Sequence, residues 1–161
     1  MDSSGDSLSN IKYADIGHDR AFLAAHSTSP SFWILDSGCS AHMISRKDLL
    51  SNIVPNNGIV TLANGMEILV KGSGTLNLNI CRSTGEKSAV IIENVLYVPN
   101  LKGENLISES ALELNGHSIS SQNGRRKVFK NGKEWMLALL DNSLKLFVIL
   151  EQKYNCSFAS Y

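Results

Sequence analysis

The stretch Phe32-Trp33-Ile34-Leu35-Asp36-Ser37-Gly38 decides how this chain is read. Four apolar residues of strand character end in a carboxylate, and a serine and a glycine follow at once. An apolar strand tends to bury whatever comes next, and a lone buried carboxylate is costly. The segment therefore predicts a strand that delivers Asp36 to a special environment. Gly38 fits that purpose, because without a Cβ its N–H can approach the carboxylate closely.

Outward from this stretch, the chain reads mainly as short strands separated by turn signals. Residues 36–41 form a turn, and Met43–Leu50 reads as a brief helical turn or a strand running to the surface. Apolar runs at 58–62 and 66–70 flank Ala63-Asn64-Gly65. Asn-Gly between such runs predicts a hairpin with a type I′ turn, which needs positive φ at both positions. Gly72-Ser73-Gly74 breaks the ladder or makes a bulge. In Thr75–Cys81, Leu76, Leu78 and Ile80 alternate with Asn77 and Asn79, the pattern of a half-buried strand. A loop at 82–87 and a long strand at Ser88–Val98 complete an antiparallel meander. Glu104–Leu114 reads as a helix, with Leu106, Ile107, Ala111 and Leu114 near helical spacing and Asn115-Gly116 as its stop. Further strands are predicted near 117–120, 127–130, 134–140 and 144–150, with turns at Asn131-Gly132 and 141–143. The expected fold class is all-β, a small closed barrel of about eight or nine strands with one short helix towards the C-terminus.

Composition bounds the reading. The chain has 161 residues, 43% hydrophobic, which suits one domain with a real core. Residues 1–30 are rich in Ser, Asp, Gly and Ala and read as a flexible linker with room for one short strand. Residues 31–150 read as the folded domain and 151–161 as a frayed, disordered tail. The formal net charge is zero, which provides no long-range attraction for nucleic acid or an anionic membrane. No apolar run approaches the ~20 residues of a membrane-spanning helix. The polar N-terminus does not read as a secretory signal. The three cysteines, Cys39, Cys81 and Cys156, form no CxxC pair, and their odd count argues against a disulfide framework and for a reducing compartment.

Two motifs give the chain a resemblance. Trp33-Ile34-Leu35-Asp36-Ser37-Gly38-Cys39-Ser40-Ala41-His42-Met43 resembles the protease signature of copia-type LTR retrotransposons. Val95-Leu96-Tyr97-Val98-Pro99-Asn100-Leu101-Lys102, followed by Asn105-Leu106-Ile107-Ser108, is similar to a second segment of that family. Cys39 stands where the family usually has Ala, and Gly103-Glu104 adds a residue to the common spacing. Residues 127–150 resemble, more weakly, the segment between protease and integrase in such polyproteins. The resemblance implies a retropepsin-like fold and a homodimeric aspartic endopeptidase that cuts a Gag-Pol polyprotein in the cytoplasm, within virus-like particles. It implies Asp36, Ser37 and Gly38 as the catalytic triplet. It also implies a flap at about Val60–Val70, with Thr61, Ala63, Asn64, Gly65 and Ile68 lining the substrate cleft.

The chemistry behind that expectation is general. Two carboxylates in contact cannot both ionise, so they share one proton and activate a water between them. A single chain would need two such triplets, and no second one follows an apolar strand in this sequence. The partners expected are therefore a second copy and a polypeptide substrate, with no direct nucleic acid, no membrane, no cofactor and no metal. Cys39 and His42 sit at CxxH spacing, half of a zinc site, but Cys81 and His117 are isolated in sequence, and a structural role is the expectation. Arg125-Arg126-Lys127 reads as a solvated loop. Leu144–Leu150 is a candidate for a strand shared between two copies. The competing reading is a domesticated or inactive module that dimerises or binds peptide without cutting it. An assembly element of a capsid precursor is the third reading, disfavoured by the lack of a zinc knuckle or long helices.

Overall fold

The computed structural model describes residues 11–12, 32–101, 105–154 and 156–160. Among the described residues thirteen strands form in chain order. They are β1 (Ile11–Lys12), β2 (Ile34–Asp36), β3 (Met43–Ile44), β4 (Leu50–Pro55), β5 (Ile59–Thr61), β6 (Glu67–Leu69), β7 (Gly72–Cys81) and β8 (Lys87–Tyr97). β9 (Asn105–Ser108) precedes the one α-helix among the described residues, α1 (Glu109–Leu114), and β10 (Ser118–Gln122), β11 (Arg125–Lys130), β12 (Lys133–Asp141) and β13 (Leu146–Ile149) follow. The all-β expectation with one short helix holds.

Ten strands form one sheet in the order β10-β11-β12-β13-β2-β9-β3-β8-β7-β4. The expected closed barrel is not found, because β10 and β4 end the ladder and do not pair with each other. The sheet nevertheless curls: Cys81 N–H donates to Leu150 O at 2.9 Å and Gln152 N–H to Asn79 O at 3.0 Å. A second sheet, β1-β5-β6, is small, and β1 pairs parallel to β5. The rest of the expected linker lies outside the described residues.

Alternation in β7 works as the sequence predicts. Leu76, Leu78 and Ile80 enter the main core while Asn77 and Asn79 stay exposed. Trp33, Leu35, Val90, Ile107, Met136 and Ile149 join them. Burying each such side chain is worth roughly 1.5–3 kcal/mol. A second cluster collects Ile34, Cys39, Met43, Val60, Leu96 and Leu106 on the other face of the sheet. The two faces of β2 thus serve two cores.

Several expectations are corrected. The helix does not begin at residue 104: Asn105–Ser108 is a buried strand parallel to β2, and helix starts only at Glu109. All four residues of β9 are buried, so the apolar pair Leu106-Ile107 belongs to a core strand rather than to a helix face. The predicted type I′ turn at Asn64-Gly65 is a longer loop, in which only Gly65 has positive φ, at +84°. Leu62 N–H donates to Met66 O and Gly65 N–H to Leu62 O across it. Asn123-Gly124 and Asn131-Gly132 do have positive φ at both positions. β4 was not foreseen; its burial does not alternate regularly, and a bulge shifts its register against β7. β13 pairs with β12 on one edge and β2 on the other, so this strand has no free edge to share with a second copy.

The C-terminal residues also differ from expectation. Cys81 and Cys156 form a disulfide, leaving Cys39 as the free thiol. A 3-10 helix spans Cys156–Ser160, Ala159 packs against Leu137 and Leu150, and Arg125 donates to Ala159 O. Sequence distance hid this contact: the two cysteines lie 75 residues apart.

Candidate active site

Topology places Asp36. β9 lies between β2 and β3, parallel to β2 and antiparallel to β3. The chain leaves β2 at Asp36, crosses over the end of β9, and returns along β3. Asp36 is in register with Ser108, the last residue of β9. The crossing loop is therefore seated on Ser108.

Ser108 is fully buried and acts as the hub of this loop. Its hydroxyl donates to Cys39 O at 2.7 Å and accepts from Ala111 N–H at 3.1 Å, so the same oxygen caps α1. Ser110 donates a second bond to Cys39 O at 3.3 Å. Ser108 N–H donates to His42 Nδ1 at 3.0 Å. A lone pair on Nδ1 puts the ring proton on Nε2, and His42 is neutral. Burial, with a smaller contribution from His117, lowers the His42 pKa to about 4. His117 turns its Nδ1 to Leu112 O at 3.0 Å and stacks at 4.4 Å on Trp135. Burial lowers its pKa too.

Within the loop, Gly38 N–H donates to Asp36 Oδ1 at 2.7 Å. Asp36 Oδ2 is buried and has no hydrogen-bond partner among the described residues. An orphaned buried carboxylate oxygen is unusual and calls for an explanation. Ser37 and Gly38 are exposed beside it. Cys39 is buried, its Sγ 3.9 Å from Asp36 O, and burial pushes its thiol pKa far up. A thiol so disposed is inert packing rather than a nucleophile or ligand. Among the described residues no group of three or more His, Cys, Asp or Glu is placed to hold a metal ion.

Glu109, the first residue of α1, forms an ion pair at 2.5 Å with Arg126 of β11. Arg126 lies 4.1 Å from the ring centroid of Phe147, and Phe147 is in register with Leu35 beside Asp36. Burial raises the Glu109 pKa and Arg126 opposes that rise. Arg126 was expected in a solvated loop, but it lies on a strand and braces the helix that Ser108 caps. The second motif contained Ser108, so the signal for the hub was present without a role attached to it.

The hairpin β5–β6 packs by Val60 and Ile68 on the cluster that contains Cys39 and Met43. Ile68 is thus half-buried in packing and is not a free wall residue. Thr61 is half-buried, and Ala63, Asn64 and Gly65 are exposed at the tip, with Asn64 Oδ1 accepting from Met66 N–H at 2.9 Å.

A family model, the Pol polyprotein, beta-barrel domain, matches residues 33–117, more than half of the chain. The chain belongs to this family. The matched span of the beta-barrel domain runs from Trp33 to His117. It contains β2, the crossing loop, the β5–β6 hairpin, β9 and α1, and so every residue of the Ser108 hub. Membership makes the chain a component of a retroelement Pol polyprotein. No curated protein and no solved structure matches it.

Proposed function

We propose that this beta-barrel domain is an aspartic endopeptidase of a copia-type element, active as a homodimer on its Gag-Pol polyprotein within cytoplasmic virus-like particles. The observation that carries the reading is the state of Asp36. One oxygen is held by Gly38 N–H, and the other is buried without a hydrogen-bond partner among the described residues. A second Asp36 across a two-fold axis would supply what is missing, with Ser37 and Gly38 of both copies on that axis.

The chemistry then follows from the carboxylate pair. With one proton between them, the ionised member takes a proton from water as that water attacks the scissile carbonyl carbon. The protonated member donates to the carbonyl oxygen, and collapse of the tetrahedral species returns a proton to the leaving amine. The backbone around the Ala63-Asn64-Gly65 tip supports an extended substrate by strand addition. The neutral ring of His42 and the Ser108 hydroxyl position the loop and take no part in proton transfer.

The test is cleavage of a precursor that carries the natural flanking sequences, with the variant Asp36→Asn. Loss of cleavage with the fold and the concentration-dependent dimer retained supports the proposal. Cleavage that survives Asp36→Asn refutes it. Peptide binding without turnover in the unsubstituted chain selects the non-catalytic module instead.

A further inference from the structure

The small sheet has the order β1-β5-β6, so β5 lies between the other arm of its hairpin and the chain's own N-terminal strand. Leu62 N–H donates to Met66 O and Val70 N–H to Gly58 O across the hairpin. Backbone groups alternate in direction along a strand. Those of Gly58, Val60 and Leu62 therefore point to β6, and those of Ile59 and Thr61 point to the opposite edge. β1 occupies that edge: Ile11 is in register with Val60 and Lys12 with Thr61, in parallel.

An edge that presents N–H and C=O groups is a template for an extended chain. Thr61, expected to line the substrate cleft, is one of the two residues that present them here. The hairpin is also fixed in place, since Val60 and Ile68 belong to the cluster that holds Cys39 of the Asp36 loop. β1 thus shows, by lying there, that the edge accepts an extended segment.

We propose that the outer edge of β5 takes up the backbone of an extended polypeptide, and that β1 is a tethered competitor for the same edge. The proposal rests on the endopeptidase reading for the identity of that polypeptide as substrate. It adds where the substrate backbone pairs and which part of the chain must leave first. Pairing through the main chain selects an extended segment with N–H groups at alternate positions, whatever its side chains. A tethered segment competes at an effective concentration in the millimolar range. Against a short peptide with Kd on the order of 1 mM, an effective concentration of about 2 mM weakens apparent binding about threefold.

Ile11→Pro removes the competitor. Val60 directs its groups to β6, so in the Ile11–Val60 pair it is Ile11 whose groups run to β5, and proline has no N–H. Lys12 directs its groups the other way, so Lys12→Pro carries the same ring and should leave β1 in place. The probe is a synthetic peptide with the sequence of residues 6–17. It is titrated into the full chain carrying Asp36→Asn, with and without each proline, and backbone amide signals are followed by NMR. The Ile11→Pro chain should show saturable shifts at Ile59 and Thr61. The parent and Lys12→Pro chains should bind about threefold more weakly, and in the parent the peptide should move the chain's own Ile11 amide as β1 is released. With Asp36 intact, Ile11→Pro should lower KM for the precursor about threefold at unchanged kcat. No saturable shift in the Ile11→Pro chain, or equal affinity in all three chains, overturns the proposal. Should Ile11→Pro fail to fold, the parent decides: an Ile11 amide unmoved by excess peptide overturns the proposal. Peptide uptake as expected with no cleavage by any chain refutes the endopeptidase and leaves the edge assigned. Cleavage with an unmoved KM and no uptake overturns this inference alone.

Discussion

Acid should loosen the loop that carries Asp36, and His42 sets the magnitude. The ring is 7% exposed, accepts from Ser108 N–H, and has a folded pKa of about 4 against an ordinary value of 6.5. The folded state therefore keeps His42 neutral where the unfolded chain protonates it. The stabilisation is complete above pH 6.5, is lost as pH falls through this window, and levels off below about pH 4. At pH 4 the loss from this one residue is roughly 3 kcal/mol, a shift of 2.5 units reduced by half-titration of the folded ring. His117 acts in the same direction, whereas Glu109 and Glu151, raised by burial, act in the opposite one. Comparison with His42→Asn isolates the residue, since an asparagine oxygen can accept from Ser108 N–H and does not titrate. Urea denaturation of both proteins at intervals between pH 7.5 and pH 4 gives the two stability curves. The unsubstituted protein should lose about 3 kcal/mol more than the variant across that range. Parallel curves would refute both the buried neutral ring and the hydrogen bond that orients it.

Other perturbations report on other parts of the fold. Ser108→Ala removes the bond to Cys39 O and the cap on α1, and should destabilise by about 2–3 kcal/mol, read as a lower urea midpoint at unchanged slope. Gly74→Ala would place a Cβ 2.8 Å from Ser51 O at the bulge between β4 and β7, and should cost roughly 1–3 kcal/mol in the same assay. Reducing the Cys81–Cys156 bond reopens a constraint spanning 75 residues and should cost up to about 4 kcal/mol, visible as a lower Tm in dithiothreitol. Cys81→Ser should reproduce that loss, and reductant should then have no further effect.

The alternation of β7 and the strand that ends in Asp36 could be read from the sequence because each is a local pattern. So could the Asn131-Gly132 turn, whose two residues supply the left-handed backbone themselves. The order of strands was less accessible. The sequence of β9 reads as helix because Leu106, Ile107, Ala111 and Leu114 share a spacing that fits a helix as well as a buried strand followed by a helix. Its parallel seat beside β2 is a long-range pairing, and no local residue encodes that. The disulfide escaped for a related reason: cysteine counting weighs parity and compartment, and neither reveals which two of three thiols the fold brings together. At the candidate site, the triplet Asp36-Ser37-Gly38 was legible as a motif. The hub beneath it was not, because Ser108 acquires its role only when the loop crosses the end of its strand.

The same crossing bears on how a second copy could complete the site. β13 is closed on both edges, so two copies cannot meet by sharing that strand. The exposed residues at the crossing are Ser37, Gly38 and Ser40, and they sit directly over the rigid Ser108 hub. An approach through these loops would keep their frame, because Cys39 O is already held by two hydroxyls and Asp36 Oδ1 by Gly38 N–H, but it must uncover Asp36 Oδ2, which is buried. What such an approach changes is the surroundings of Asp36 Oδ2, a buried carboxylate oxygen without a hydrogen-bond partner among the described residues. Weak association would be the natural consequence if the copies met only through these exposed polar residues, since much of the energy of such a contact would go to offset the lost freedom of two chains. Dilution should therefore abolish cleavage before it unfolds the domain. Sedimentation and cleavage measured over the same concentration range should fall together, with the urea midpoint unchanged. Cleavage per chain that stays constant on dilution into the monomeric range would show that one copy of Asp36 suffices, and the dyad would be wrong.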